Sequence, residues 1–135
     1  MNLLEIKVKD TIDVDIVDPV IGGRMGMIVS VRSRHAPSAE SVIKASEKAI
    51  RQAIINGASE EEITAISEQA EVDILVAAVA GWKIEEGAMF AGKIPIDDME
   101  FSEDGVRTLM QESLFWPIRN QINHAAGNTA DFLEA

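Results

Sequence analysis

Cysteine and tyrosine are both missing from this 135-residue sequence. Without cysteine the chain has no disulfides and no thiolate metal ligands, and nothing in it indicates an oxidising compartment. Because both residues are absent, most arrangements of nucleophile and base used in covalent catalysis have no candidates here. The sequence therefore predicts a protein that acts by binding and is not an enzyme, with no catalytic, cofactor-binding or metal-binding residues.

Histidines and long apolar runs are also scarce. The two histidines, His35 and His124, have no metal-ligand spacing around them, and we expect both at the surface. The longest apolar run, residues 74–82, is too short to cross a bilayer. The first residues lack the basic and apolar blocks of a signal peptide. These features predict a cytoplasmic protein without a membrane partner.

The charge of −11 is distributed unevenly along the chain. Residues 1–58 carry 8 basic and 7 acidic groups, whereas residues 59–135 carry 4 basic and 16 acidic groups. Such a surface repels nucleic acid and anionic lipid, so we expect neither as a partner. Solubility alone explains the acidity. The alternative is an acidic face that meets a basic face on a partner or on a neighbouring copy.

Alternation of apolar and polar residues predicts β-structure in the first third of the chain. The alternation runs over residues 4–8, 12–16 and 25–31, and a period of two places one row of side chains in a core and the other in water. Asp18-Pro19 and Gly22-Gly23 separate the second and third runs, as a loop between paired strands does. We expect a small antiparallel sheet or hairpin within residues 1–34.

The remainder, residues 37–135, predicts about four helices. A small sheet is marginal alone, so it must pack on these helices. The expected fold is therefore α+β, mainly α-helical, in a single domain over residues 1–135. An irregular acidic loop is expected near residues 83–100.

Local signals set the expected helix ends. The first helix should run from Pro37 to about residue 55. A capping box at Ser59 and Glu62 should open the second, which runs to about residue 80 and ends at Gly81. Its apolar segment, residues 74–80, should lie in the core. The third begins near residue 102, and the fourth holds Pro117 in its first turn and continues to residue 126.

Residues 87–93 match the spacing G-x-x-x-x-G-K of a phosphate-binding loop. The next residue should be Ser or Thr to hold magnesium, but it is Ile94. Pro95 follows and disfavours helical geometry at Ile94, so the helix that cradles phosphate cannot start there. We interpret the segment as a loop whose glycines coincide with the motif. Asp97 and Asp98 likewise lack the ligand ladder of a calcium loop.

Two groups of residues are candidates for protein binding. The aromatic residues cluster late in the chain, where they either complete the core or provide exposed anchors for a partner helix. The candidates for partner binding are Trp82, Phe115, Trp116, Phe132 and Leu133. The first helix carries a row of cations, which we call the basic stripe and take as the candidate for self-association: Lys44, Lys48 and Arg51.

Several short motifs resemble those of the tail assembly chaperones of long-tailed phages. They are Asp18-Pro19-Val20-Ile21-Gly22, Gly81-Trp82, Phe101 through Val106-Arg107, Trp116-Pro117-Ile118-Arg119 and residues 128–133. The resemblance covers most of the chain and is strongest over residues 74–132. None of the motifs is catalytic. The acidic loop at residues 83–100 is expanded relative to the family pattern.

The resemblance implies a function and a set of partners. Such chaperones coat the tape measure protein, keep it soluble, and recruit tail tube subunits, often through a longer product made by ribosomal frameshifting. They self-associate, act in the host cytoplasm and are absent from the mature virion. The alternatives are a structural phage tail or head–tail connector component, and a generic regulatory interaction module.

Overall fold

The computed structural model describes residues 8–133 of the chain. The fold is α+β and mainly helical, as the sequence predicts. Its strands are β1 (Thr11–Val17), β2 (Arg24–Arg32), β3 (Val79–Ile84), β4 (Met89–Phe90) and β5 (Ile94–Pro95). Its helices are α1 (Pro37–Ile55), α2 (Glu60–Ala78), α3 (Glu103–Gln111) and α4 (Trp116–Gly127), with short 3₁₀ turns at Ser113–Phe115 and Thr129–Phe132.

The main sheet is antiparallel in the order β1-β2-β3. Val29 of β2 pairs with Val14 on one side and with Trp82 on the other, so these three side chains share the inner face. The outer face is polar, and the Ser30 hydroxyl donates a hydrogen bond to Asp13 Oδ1 at 2.9 Å. Period-two alternation of apolar and polar residues usually gives a sheet with one face packed on the core and the other exposed to solvent.

Helix α4 covers the inner face of the sheet near β1 and β2. Ile118 and Ile122 of α4 are fully buried there. The side chain of Gln121 fixes the helix to the strand, because its Nε2 donates to the carbonyl of Val17 at 2.8 Å and its Oε1 accepts from the amide of Val17 at 2.9 Å. These contacts hold one face of α4 firmly against the sheet.

The helix starts expected from local signals are confirmed. The amide of Glu62 donates to Ser59 Oγ at 3.2 Å, which is the cap expected for α2. Ser102 caps α3 in the same way, since its Oγ accepts from the amide of Gly105 at 2.9 Å. Pro37 and Pro117 stand in the first turns of α1 and α4, where the missing N–H costs nothing.

The expected end of α2 was wrong. The helix ends at Ala78, and Val79 is already extended with φ −86° and ψ 116°. Gly81 and Trp82 therefore lie in strand β3, which pairs with β2, and not at a helix terminus. The cause is non-local, because pairing with β2 satisfies the backbone groups of this segment while Arg32 Nη1 donates to the carbonyls of Ala77 and Val79 at 3.1 and 3.4 Å.

The expected N-terminal strands and acidic loop also need correction. Most of the run expected over residues 4–8 lies outside the described residues, and Val8 makes an isolated bridge to Leu133. The third strand of the sheet is supplied by β3. The segment expected to be irregular near residues 83–100 begins inside β3 and contains the small hairpin β4–β5.

Candidate functional site

Helix α1 is the least buried long element of the described chain. It has 19 residues, of which only Ala39 is buried. It packs extensively on α2 and makes no comparable contact with any other element among residues 8–133. A helix held along one side only leaves its other apolar side chains accessible to a partner.

An open groove of about 1060 Å³ lies beside α2, with α1 forming one wall and α3 the other. We call it the helical groove. Its lining is largely small and apolar, and includes Val42, Ala45, Ala49, Ile66, Val76 and Ala77. A cleft with this lining is the kind of surface that buries the apolar face of an amphipathic helix.

Helical spacing explains how these residues reach one surface. Val42, Ala45 and Ala49 stand at i, i+3 and i+7 on α1, so they share one face of that helix. Ile66, Ala70 and Ala77 repeat at spacings of four and seven on α2. Six of the eighteen lining positions hold alanine, whose short side chains leave much of the space between the walls open.

The helical groove has polar residues along the middle of α2, where it faces α3. There Arg107 Nη1 lies 2.6 Å from Asp73 Oδ1, and Gln69 Nε2 donates to the same oxygen at 3.1 Å. The hydrogen bond to Asp73 raises the pKa of Arg107 above its ordinary value. Glu103 and Arg32 also line the groove. Charged and polar side chains thus interrupt the apolar lining between Ala65 and Ala80.

Trp82 packs against a residue of the groove lining. Its Nε1 donates to the carbonyl of Met99 at 3.0 Å, so the half-buried indole is fixed in place. Its ring meets that of Phe101 edge-on, with centroids 5.4 Å apart, and Phe101 lines the groove. Trp82 is therefore a supporting residue rather than an exposed anchor.

The four late candidates divide into core and surface residues. Phe132 is fully buried, so its expected role as a surface anchor is corrected to core packing. Phe115 is half-buried and packs edge-on against Phe90 with centroids 5.4 Å apart. Trp116 and Leu133 are 59% and 44% exposed and stay candidates for partner contact. The five partner-binding candidates do not form one cluster, and none of them lines the groove.

The basic stripe lies on the exposed side of α1. Lys44, Lys48 and Arg51 are all exposed, and none of them forms an ion pair with another residue in the range 8–133. At 100° per residue they point largely away from the face that lines the helical groove. Groove and stripe are therefore separate surfaces of the same helix.

The segment that matches the phosphate-loop spacing is bonded to carboxylates. The amide of Ala91 donates to Asp18 Oδ2 at 2.7 Å, and the amide of Gly87 donates to Asp97 Oδ2 at 2.9 Å. These amides face negative charge instead of being free to receive a phosphate. Over residues 8–133, no cluster of three or more potential metal-ligating side chains occurs, and no helix is long and apolar enough to span a membrane.

Two features escaped sequence reasoning. Asp18 is 1% exposed, and its Oδ1 accepts hydrogen bonds from the amides of Val20 and Ile21 while its Oδ2 accepts from Ala91. The Asp-Pro motif thus fastens the β1–β2 turn to the β4–β5 hairpin. The second feature is the helical groove, whose only sequence signal is the recurrence of alanine at helical spacing in α1 and α2.

Comparisons with protein-family models, with curated proteins and with solved structures gave no match. The resemblance to tail assembly chaperones therefore rests on the sequence motifs alone.

Proposed function

We propose that this chain is a non-catalytic tail assembly chaperone that binds and solubilises a phage tape measure protein. The observation that carries the proposal is the helical groove, an open and largely apolar cleft between α1, α2 and α3 in which six of the eighteen lining residues are alanine. The tape measure protein is the partner implied by the sequence resemblance, which also implies action in the host cytoplasm and absence from the mature virion.

The dimensions of the groove suit a helix. Its lining on α2 extends from Ala65 to Ala77, which corresponds to roughly 18 Å, or about three helical turns. A long helical protein that lacks its final partners exposes apolar stripes at spacings of three and four residues. Small lining residues allow a partner helix to approach closely and bury such a stripe.

The openness of the groove agrees with temporary binding. A chaperone that leaves during tail assembly needs contacts that are individually modest. Many copies along one long helix still hold it firmly, because each further contact is made at high effective concentration. The net charge of −11 keeps the coated complex soluble.

Self-association is a second part of the proposal. The basic stripe is exposed and lies away from the helical groove, so it is free to meet an acidic surface on the next copy while the groove is occupied. Contacts of this head-to-tail kind build rings or open spirals. We expect light scattering to show smaller assemblies at 0.5 M salt, because the Debye length then falls to roughly 4 Å. Assemblies that persist or grow would exclude a contact driven by charge.

We propose that a longer product of the same gene, which the sequence resemblance implies, recruits the tail tube subunits. The helical groove would be occupied by the tape measure protein, so the additional residues of such a product are the natural site for the tube subunit. Mass spectrometry of purified tails should detect neither product.

Co-expression with the adjacent long helical open reading frame tests the main proposal. We expect the wild-type chain to keep that protein soluble. The double variant Ala45→Leu/Ala49→Leu fills the helical groove and should lose this activity. Glu47→Leu adds the same side chain on the exposed, opposite face of α1, outside the groove lining, and should retain it.

The outcomes separate two kinds of failure. A partner that is equally insoluble with and without the wild-type chain contradicts the chaperone function. If the double variant solubilises the partner as well as the wild type does, the function stands but the groove is not the binding surface.

A further inference from the structure

Arg32 differs from Arg107, the other arginine that lines the helical groove. Arg107 is already paired with Asp73. Arg32 lines the same groove but forms no ion pair with any carboxylate among residues 8–133. It is therefore a cation without a direct ion-pair partner in the described chain, and it lies where α2 ends, whereas Asp73 and Glu103 pair with Arg107.

The geometry of Arg32 leaves part of its guanidinium available. Only Nη1 is used, donating to the carbonyls of Ala77 and Val79 at 3.1 and 3.4 Å. These bonds fix a half-buried, planar group at the groove wall. Nε and Nη2 make no hydrogen bond to another described residue, and a guanidinium presents its remaining donors in a rigid fork that matches a carboxylate.

Docking of a helix changes the surroundings of this cation. A partner that covers the groove removes water from Arg32, and burying a charged group without a partner is costly. A purely apolar helix would therefore be penalised at Arg32. A helix that brings a carboxylate offsets the penalty, since charge-assisted hydrogen bonds are the stronger kind, most of all where water is excluded.

We propose that Arg32 is a specificity-determining residue of the helical groove, and that the groove selects an amphipathic helix bearing Asp or Glu at the end of its apolar stripe. The carboxylate binds the free edge of the Arg32 guanidinium while the stripe covers the alanines. This inference rests on the proposed function, because it takes the groove as a helix-binding surface, but it does not require the partner to be a tape measure protein.

Isothermal titration calorimetry with three designed helical peptides of about 18 residues, long enough to fill the groove, tests the inference. Each peptide carries the same Leu/Ala stripe, followed by Glu, Gln or Lys. The wild-type chain should bind the Glu peptide about tenfold or more tightly than the Gln peptide, the range expected for a hydrogen bond to a charged group. The Lys peptide should bind most weakly. Ala45→Leu/Ala49→Leu should reduce binding of all three.

The substitution Arg32→Gln should remove the preference for Glu over Gln, which is the coupling that a double-mutant cycle isolates. Arg119→Gln is the matched control, because Arg119 is also part-buried and donates to a helix carbonyl, that of Met110 at 3.1 Å, but lies outside the groove lining. It should leave the preference unchanged.

Two results would overturn the inference. One is a wild-type chain that binds the Glu peptide no better than the Gln peptide, or binds none of the three. The other is an Arg32→Gln chain that weakens both peptides equally, which is the signature of a residue that only ends α2. If Arg32→Gln does not fold, the inference is tested by the order in which the wild-type chain binds the three peptides and by the Glu-over-Gln preference of Arg32→Lys. Selective Glu-peptide binding by a chain that fails in co-expression would contradict the chaperone function alone.

Discussion

Helices α4 and α1 differ in how many of their residues are buried. Helix α4 has 12 residues and buries Pro117, Ile118, Ile122, Ala125 and Ala126. Helix α1 has 19 residues and buries only Ala39. The α4 side leaves only a cleft of about 460 Å³ between β1 and α4, whereas the α1 side leaves the helical groove of about 1060 Å³ beside α2. Stability and binding surface are therefore located in different parts of one small fold, and this division can be tested residue by residue.

The largest effect should come from truncating the same residue type on the two sides. Ile122→Ala on α4 should lower the free energy of unfolding by about 2–5 kcal/mol, because Ile122 is fully buried. Ile54→Ala on α1 should change it by less than about 0.5 kcal/mol, because Ile54 is 58% exposed. Urea unfolding measures both. Equal losses would show that α1 is packed as firmly as α4.

The carboxylate of Asp18 should have the next largest effect. Asp18→Ala leaves the amides of Val20 and Ala91 without their acceptor, and we expect a loss of about 1–3 kcal/mol in the free energy of unfolding. Asp15→Ala removes an exposed carboxylate that pairs with Arg24 and should matter much less. If the two variants unfold alike, the clamp between the β1–β2 turn and the β4–β5 hairpin has no energetic role.

A smaller effect is expected at the start of α2. Ser59→Ala removes the cap on the Glu62 amide and should cost about 1 kcal/mol. Ser59→Asp keeps an acceptor and should retain most of the stability. Because α1 depends on α2 alone, we expect hydrogen exchange in Ser59→Ala to accelerate in α1 and α2 while α4 stays protected. Acceleration throughout the chain would contradict the division between the two sides.

The smallest change should follow substitution of Trp116. Trp116→Ala should alter the free energy of unfolding by less than about 0.5 kcal/mol, because the side chain is 59% exposed. Binding of helical peptides to the groove should also be unchanged, since Trp116 is not part of its lining. Reduced peptide affinity in Trp116→Ala would extend the binding surface to the start of α4.

Sequence reasoning succeeded where the signal is local. The cap at Ser59, the proline in the first turn of α1 and the alternation in β1 and β2 each depend on neighbouring residues, and the structure confirms them. It failed at residues 79–81, the end of an apolar run that fits a helix or a buried strand equally well. Only pairing with β2, distant in sequence, ends α2 at Ala78.

Dependence on contacts between distant parts of the chain also explains why the candidate site was not predicted. The burial of Phe132 depends on the chain end returning to the sheet, where the amide of Lys9 donates to the carbonyl of Phe132 at 2.7 Å. The helical groove depends on the separation of α1 and α3, which no spacing within either helix encodes. The alanines are visible in the sequence. The sequence does not distinguish an alanine that leaves an open space from an alanine that packs closely against a neighbouring helix.

The fixed position of Trp82 has a practical consequence. Because the chain has no tyrosine and only two tryptophans, its near-ultraviolet emission comes from two indoles. Replacing the exposed Trp116 by phenylalanine would leave one emitter, whose ring touches the groove residue Phe101. The remaining indole then serves as an intrinsic fluorescent probe. Binding in the helical groove should change its emission wavelength or intensity, so no dye has to be attached.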